Sequence, residues 1–321
     1  MGVQKMSNKE VQVVTGAFGY LGQYITRLLL AKGVTVRTLT GHPKRPNPYG
    51  NRVEVVPFHF DNPHKLVSDL RGATIVYNTY WVRFNHGSST YSKAVANVQN
   101  LIRASAEAGV KRFVHISITN PTLDSPSRYF RGKAIMEKTL VESGLSRAIL
   151  RPTVLFGRED ILINNIAWIL KKFPIFLVFG DGDYRIQPVY VGDVAKLAVQ
   201  LGAKSENIIC DAVGPETFTF TQLVDLIRRR VGSRARIFFV PPSIGLLLAK
   251  PLNLLVRDII TNREEVHELM AEPLVSYKPP LCSTRFSKWS EEHSADLGTK
   301  YASEINRHYR KSMATEPVTL E

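Results

Sequence analysis

The chain has 321 residues, of which 44% are hydrophobic and 22% charged, a globular composition that excludes disordered, collagen-like and coiled-coil chains. Its two cysteines, Cys210 and Cys282, form no C-x-x-C pair, which excludes a disulfide framework or cysteine zinc site and favours a reducing, cytoplasmic compartment. Lys and Arg outnumber Asp and Glu by 42 to 28, and the net charge of +14 favours anionic partners.

Membrane and targeting signals are weak. The first ten residues contain no apolar run, so we expect no signal peptide. The longest apolar stretch, residues 244–256, is interrupted by Lys250, Pro251 and Asn253, so it cannot be a spanning helix. We predict a buried helix of a substrate domain there; the alternative is a helix in a membrane interface, with Arg257 at its end. The protein is then cytoplasmic, or peripheral to a membrane.

Short β-branched runs alternate with longer amphipathic segments in the N-terminal half. The predicted strands lie at 11–15, 34–39, 53–58, 74–79, 112–118, 147–150 and 207–211, and the predicted helices at 20–31, 63–71, 88–108 and 129–143. This alternation predicts an α/β protein with a doubly wound parallel sheet. After Pro152 the rhythm changes to a helix over 161–173, a turn over 180–183 and a helix capped by Thr221.

A glycine-rich loop joins the first predicted strand to the first helix. Its glycines permit a tight turn and close backbone approach, and the helix N-terminus offers N–H groups to a pyrophosphate. The strand before it and the helix after it favour nucleotide binding over a simple turn. The candidate cofactor residues of the loop are Gly16, Phe18, Gly19, Tyr20, Leu21 and Gly22. Their G-x-x-G-x-x-G spacing resembles the extended and atypical short-chain dehydrogenase/reductases, which implies a Rossmann fold.

The cofactor is expected to be NADP(H) in preference to NAD(H). No Asp or Glu occurs between Glu10 and Glu54, where proteins that prefer NAD place an acid for the ribose hydroxyls. The end of the second strand instead carries a set suited to a 2′-phosphate, namely Arg37, Thr40, His42, Lys44 and Arg45. The alternative interpretation is a solvated basic loop. The family resemblance implies further cofactor contacts at Asp61, Asn78, Thr79 and Pro152.

Tyr129 and Lys133 form a Y-x-x-x-K pair, one turn apart on a predicted helix. An ammonium near the phenol lowers its pKa, so Tyr129 could exchange a proton with a substrate oxygen while a hydride moves. The family resemblance implies a third group, a Ser or Thr just beyond the fifth strand. Ile118 aligns with that place, and strand alternation is expected to aim Ser117 and Thr119 at the other face unless the strand has already ended. Thr119 stays a further catalytic candidate, and the site is predicted to be altered or inactive.

Two sequence blocks resemble one branch of this family, the NADPH-binding accessory subunits of respiratory complex I and their bacterial relatives. The blocks are S-P-S-R-Y-F-R-G-K-A over 125–134 and R-P-T-V-L-F-G-R-E-D over 151–160, and the resemblance covers roughly residues 10 to 200. It also includes P-V-Y-V-G-D-V-A over 188–195, in which Asp193 is expected to cap a helix. The resemblance implies a cofactor that is held structurally and not turned over.

Two functions therefore stay open. The first is an NADP(H)-dependent oxidoreductase acting on a carbonyl, alcohol or quinone-like substrate; the alternative is a non-catalytic NADPH-binding structural, assembly or redox-sensing protein. We expect an NAD(P)-binding Rossmann domain over 10–155 plus about 188–213, a smaller, mainly C-terminal substrate domain over about 156–187 plus 214–310, and a flexible tail over 311–321. The expected partners are a small-molecule substrate and either a protein or an anionic membrane surface, without nucleic acid.

Several other residues have more than one interpretation. His115 is predicted to be a packed core residue, and no metal site is expected, since the histidines form no H-E-x-x-H motif. Residues 228–230, three consecutive arginines, are predicted to form a solvated helix face. The remaining candidates either line a substrate pocket at the sheet edge or pack, and they are Tyr80, Trp81, Arg83 and Phe84.

Overall fold

The computed structural model describes residues 10–256, 258, 263–271, 274–303 and 305. Its strands are β1 (Val11–Thr15), β2 (Thr35–Thr40), β3 (Val53–Pro57), β4 (Ala73–Asn78), β5 (Arg112–Ile116), β6 (Arg147–Pro152), β7 (Val154–Phe156), β8 (Ile175–Phe179), β9 (Arg185–Ile186), β10 (Pro188–Tyr190), β11 (Ile208–Ala212), β12 (Phe218–Thr219) and β13 (Arg236–Val240). Its helices are α1 (Tyr20–Ala31), α2 (Pro63–Leu70), α3 (Tyr91–Glu107), α4 (Arg128–Glu142), α5 (Leu162–Lys172), α6 (Val191–Gly202), α7 (Phe220–Arg230), α8 (Pro242–Val256), α9 (Arg263–Ala271) and α10 (Phe286–Glu292).

A seven-stranded sheet in the order β11-β6-β5-β4-β1-β2-β3 forms the centre of the molecule. Every pairing in this sheet is parallel, which confirms the predicted doubly wound α/β fold. The strand order reverses between β1 and β4, so their carboxyl ends bound the crevice in which open α/β sheets bind ligands. The register brings Thr15 of β1 beside both Leu39 and Asn78 at that edge.

Helices cover both faces of the sheet because its strands carry apolar side chains on both faces. One face packs on α1 and α6 through a core that includes Val14, Val114 and Ile116. The other face packs on α2, α3 and α4 through a core that includes Phe113 and Met136. The odd-numbered residues of β5 therefore face α4, the helix that carries Tyr129 and Lys133.

Two helix caps differ from the prediction. The N-cap of α7 is Thr219 and not Thr221, because Thr219 and Gln222 bond each other's backbone in a capping box. Thr221 instead donates its hydroxyl to the carbonyl of Gly182, in the predicted turn. Asp193 does not cap α6; it lies in the first turn and accepts bonds from the amides of residues 283 and 284, tying a C-terminal segment to the helix.

The C-terminal part has its own apolar core, in which α5, α7 and α10 pack around Phe156, Phe286 and Trp289. A parallel pair formed by β8 and β13 lies beside it. Sequence reasoning missed β13, whose one basic residue is followed by a short apolar run, R-I-F-F-V. Tail residues 311–321, predicted to be flexible, fall outside the described residues.

The prediction of a buried helix at 244–256 is wrong for three side chains of α8. Ile244, Leu247 and Leu248 are 49%, 60% and 52% exposed, whereas Gly245 is buried. Their spacing places them on one stripe of the helix, and this stripe faces solvent. None of the helices in the described part of the chain has both the length and the apolar character needed to cross a membrane.

Candidate functional site

The glycine loop folds as a tight turn between β1 and α1. Gly16 has a φ of +68°, which a residue with a Cβ adopts only at a cost. A Cβ on Gly22 would overlap the carbonyl oxygen of Gly16 and lie 2.9 Å from its carbonyl carbon, so the first turn of α1 packs directly on the loop. Gly19 is the N-cap, without a side-chain cap or first-turn acid. The first-turn N–H groups thus have no intrahelical acceptor and suit a diphosphate.

The side chains of the loop pack inwards, so the backbone is what the loop offers to a ligand. Leu21 is buried in the core under α1. Phe18 stacks on Tyr49 with ring centroids 6.1 Å apart, and Tyr20 meets the ring edge of Tyr24 at 6.3 Å. The Tyr24 hydroxyl donates to Glu159 at 2.7 Å, which ties α1 to one of the two family-like sequence blocks.

The basic set after β2 is only partly brought together. Thr40 lies at the end of β2 and accepts a bond from the amide of His42 at 3.1 Å, and Lys44 is exposed just beyond. Arg37 does not join this set, which corrects its prediction. Its guanidinium contacts Glu54 at 2.7 Å and the carbonyl of Asp69 at 2.6 Å, so it ties β2 to β3 and to the C-terminal end of α2.

A chain of buried polar side chains links the ends of β1, β4 and β5. Thr15 donates its hydroxyl to Asn78 at 3.0 Å, and Asn78 contacts Nδ1 of His115 at 3.0 Å. Thr79 donates its hydroxyl to the Thr15 carbonyl at 2.6 Å and lies beside Gly16. Asn78 therefore supports the edge from beneath, and Thr79 is the member adjacent to the glycine loop. Sequence reasoning missed the role of Thr15 here.

His115 is fully buried, as predicted, and burial next to Lys133 lowers its pKa well below its ordinary value. The imidazole is therefore neutral. Because Nδ1 is paired with the Asn78 amide, which can donate, Nε2 carries the proton. Nε2 has no hydrogen-bond partner among the described residues.

Lys133 is 4% exposed, and burial lowers its pKa to about 7 while Glu137 opposes that shift. Its ammonium donates to the carbonyl of Ile116 at 3.0 Å, at the end of β5. The same ammonium lies 4.8 Å from the ring centroid of Trp81, a cation–π contact. Lys133 is thus anchored between the sheet edge and an aromatic ring.

Tyr129 lies one turn before Lys133 in α4 and is half-buried in an aromatic cluster. Its ring meets the edges of Trp81 and Tyr91 at centroid distances of 5.6 and 6.1 Å. Trp81 thus contacts both members of the Y-x-x-x-K pair. Of the four candidates after β4, Tyr80 packs on the rings of residues 58 and 60 instead.

Helix α9 is attached at this cluster through two contacts. Glu265 accepts from Arg83 at 2.5 Å, and Glu268 accepts from the Ser127 hydroxyl at 2.6 Å. Ser127 is also the N-cap of α4, so α9 is bound at the point where the helix that carries Tyr129 begins. No sequence pattern predicts this arrangement, because α9 lies far along the chain.

The segment after β5 keeps the predicted alternation of side chains, but it is Ser117 and Thr119, and not Ile118, that face α4. Although β5 ends at Ile116, the amides of Ser117 and Thr119 donate to the carbonyls of Leu150 and Pro152 at 2.8 and 3.0 Å. The ladder to β6 thus continues, and alternation keeps Ser117 and Thr119 on the face of His115, towards α4. Both hydroxyls are buried and have no partner among the described residues. Ile118 takes the opposite face.

Pro152 ends β6 beside Thr119. Arg151, the residue before it, forms a two-pronged bond with Glu137 of α4, with N–O distances from 2.5 to 3.2 Å. This pair holds α4 against β6 one turn beyond Lys133. Sequence reasoning missed it, although Glu137 follows Lys133 at helical spacing.

The remaining candidates lie apart from this arrangement. Asp61 is exposed after β3, at the same edge as Thr40. Arg228 and Arg229 pair with Asp225, and Arg230 pairs with Glu291, as expected for a solvated helix face. Within the described ranges, no three His, Cys, Asp or Glu side chains lie together as metal ligands would.

The residues present fit a nicotinamide dinucleotide. The glycine cradle and uncapped helix suit the diphosphate, and the polar edge with Tyr129 and Lys133 lies across β1, β4 and β5 from it. A family model described as NAD(P)H-binding matches residues 16–163.

Comparisons with known proteins point to the same class. The chain is 26% identical over 285 residues to the mitochondrial NADH dehydrogenase (ubiquinone) 1 alpha subcomplex subunit 9 of Arabidopsis thaliana, covering 83% of this chain and 71% of that protein. It is 31% identical over 225 residues to the same subunit of Mus musculus, covering 66% of this chain and 56% of that protein.

A solved structure of a nucleoside-diphosphate-sugar epimerase from Staphylococcus aureus superposes with a TM-score of 0.66 at 16% identity, covering 92% of this chain and 98% of that one. The chain therefore contains an NAD(P)H-binding Rossmann domain, is homologous to the complex I alpha subcomplex subunit 9, and has the fold of the epimerase-like short-chain dehydrogenase/reductases.

Proposed function

We propose that the protein is an NADP(H)-dependent oxidoreductase that acts on a carbonyl, alcohol or quinone-like substrate. The observation that carries this proposal is the continued β5–β6 ladder, which turns Ser117 and Thr119 towards the helix of Tyr129 and Lys133. A hydroxyl is thus available on the face of that pair despite Ile118. Both hydroxyls are buried without a partner in the described structure, which suits groups that bond a ligand.

Each residue has a defined part in this proposal. A bound NADPH would supply the hydride. Tyr129 donates a proton to the substrate oxygen, Thr119 donates a hydrogen bond to the same oxygen, and Lys133 holds a ribose hydroxyl and the position of Tyr129. The neutral His115 and Asn78 keep the sheet edge rigid beneath them.

The preference for NADP(H) rests on the loop after β2. Thr40, His42 and Lys44 lie at the carboxyl end of the strand, where a 2′-phosphate is bound in this fold, and no acid lies in that loop. A phosphate there gains charge-assisted bonds that the two hydroxyls of NAD(H) cannot form.

The test is single-turnover oxidation of NADPH against a panel of quinones and aldehydes. Tyr129→Phe keeps the ring, removes only the hydroxyl, and is expected to slow turnover by about 10²–10⁴-fold. Tyr184→Phe is the matched control, because it removes a buried phenol in the C-terminal part and leaves the pair intact. Equal rates for Tyr129→Phe and the unmutated protein would contradict the role of Tyr129.

A second function is favoured by homology and by α9. The relatives are named as subunits of mitochondrial NADH dehydrogenase, and α9 is bonded to Ser127 and Arg83 beside Tyr129. On this proposal the cofactor is a structural element and the protein acts through a protein partner. This function is supported, and the first excluded, if none of the substrates causes the protein to oxidise NADPH while NADPH strongly raises its melting temperature. The cytoplasmic location stays a prediction.

A further inference from the structure

Helix α8 presents an apolar stripe to solvent. Ile244, Leu247 and Leu248 recur at i, i+3 and i+4 and are about half exposed or more. The adjoining side of the helix packs on the pair of β8 and β13, where Gly245 is buried against Phe179 and Val240. In an ordinary surface helix an apolar stripe faces the core, whereas this stripe faces solvent.

The end of β13 continues the apolar surface. Phe238 is 46% exposed and lies on the same face of the strand as Arg236, whereas alternation puts the side chain of Phe239 on the other face, beside Gly182. Only two residues separate Phe239 from the start of α8. We refer to Phe238, Ile244, Leu247 and Leu248 as the apolar patch. Exposed apolar patches of this kind mark sites of interaction.

A basic groove of about 450 Å³ adjoins the apolar patch. Arg228, Arg234 and Arg236 line it together with Phe238, which belongs to both features. Arg228 is paired with Asp225. Arg234 and Arg236 are exposed and form no ion pair with any of the described residues, so their charge is available to an anion.

We propose that the apolar patch and the basic groove together dock on an anionic phospholipid bilayer. Lipid phosphates would lie at Arg234 and Arg236, and the apolar patch would enter the boundary between headgroups and acyl chains. A lipid surface presents negative charge and an apolar layer side by side, which matches both features. A second copy of the chain fits poorly, because a two-fold contact through the patch would bring two basic grooves together.

The experiment is flotation of the full-length protein with phosphatidylcholine vesicles, with and without phosphatidylglycerol. We expect binding to the mixed vesicles and weak binding to the neutral ones. Arg234→Gln with Arg236→Gln is expected to weaken binding about 25-fold, since each basic side chain near an anionic surface contributes a factor of about five. Leu247→Ser with Leu248→Ser is expected to weaken it by about tenfold, through lost apolar burial.

The matched control is Lys32→Gln with Lys111→Gln, which removes the same charge at the amino edge of the sheet, where both lysines are exposed. Melting curves with NADPH confirm that each variant is folded. Binding that falls equally in the control, binding to neutral vesicles alone, or absence of binding would each overturn the proposal. So would dimerisation in sedimentation that the Leu247→Ser, Leu248→Ser variant abolishes, since a second copy would then cover the patch.

Discussion

Whether the site can be catalytic depends on two hydroxyls beside Ile118, those of Ser117 and Thr119. Alignment with the family places Ile118 where a Ser or Thr is expected, and that position alone indicates an inactive site. The ladder between Thr119 and Pro152 changes the interpretation, because it sets which side chains face α4. A one-residue offset in an extended strand moves a side chain to the other face of the sheet.

Thr119→Val tests this point, because valine keeps the shape and removes the hydroxyl. We expect single-turnover NADPH oxidation to fall by about 10²-fold, as for the loss of one oxygen-binding donor. Thr139→Val, in the same helix α4, removes a hydroxyl that donates to Ile135 and accepts from Gln99 of α3, and it should leave the rate unchanged. NADPH affinity should be equal in both variants. A Thr119→Val protein with the rate of the unmutated one would show that this hydroxyl is not used.

Lys133 should make stability depend on pH. Burial lowers its folded pKa to about 7, whereas in the unfolded chain it stays near its ordinary value of 10.5. Between these values the unfolded chain holds the extra proton, so the free energy of unfolding rises with pH. From pH 7 to 9.5 this amounts to about 3 kcal/mol, at 1.36 kcal/mol per pKa unit.

Urea unfolding of the protein and of Lys133→Met at both pH values measures this contribution. The rise with pH should be smaller in Lys133→Met by that amount, because methionine fills the same space beside Trp81 without titrating. An identical rise in both proteins would mean that Lys133 keeps an ordinary pKa in the folded state.

Among the helices, α9 is the one that attaches beside the aromatic cluster of Tyr129. The Arg83–Glu265 pair and the Ser127–Glu268 hydrogen bond attach it there, while Val266 is buried and Leu269 packs on the C-terminal core. Segments held by a small number of polar contacts open locally at lower free energy than the core. Helix α9 is therefore expected to open before the sheet does.

Glu265→Gln with Glu268→Gln weakens both contacts. We expect amide hydrogen exchange in α9 to become roughly tenfold faster or more, as for two weakened charge-assisted bonds, while exchange in β1 and β4 is unchanged. Glu264→Gln is the control, since it removes one carboxylate charge, half the change of the double variant, at an exposed position of the same helix. Exchange that rises as much in the control would show that charge, and not these contacts, sets the opening.

The preference for one cofactor over the other depends on how several elements, β2, its loop and α1, are placed together. Calorimetric titration should show tighter binding of NADPH than of NADH. Lys44→Ala should narrow this difference by roughly tenfold, as for one charge-assisted bond to the 2′-phosphate.

Arg37→Ala is the informative comparison. Its guanidinium is engaged with Glu54 and the end of α2, so the substitution should lower the melting temperature and leave the ratio of the two affinities unchanged. Equal affinity of the unmutated protein for NADPH and NADH would remove the basis for the NADP assignment.

Local sequence patterns predict the strands and helices of the Rossmann part, the glycine loop and the Y-x-x-x-K pair. These features depend on contacts between near neighbours: apolar periodicity, the turn at Gly16, and the helical spacing of Tyr129 and Lys133. For the same reason the predicted strands and helices of the Rossmann part form with only small shifts at their ends.

Which residues meet at the site depends on the packing of distant segments. The engagement of Arg37 by Glu54, the Thr15–Asn78–His115 chain and the placement of α9 at Ser127 join positions far apart in the chain. The face taken by Thr119 depends on pairing with β6, and the exposed stripe of α8 depends on which side packs on β8 and β13. Pairing and packing between distant segments leave no local pattern, because the same residues suit either face until a partner is in place.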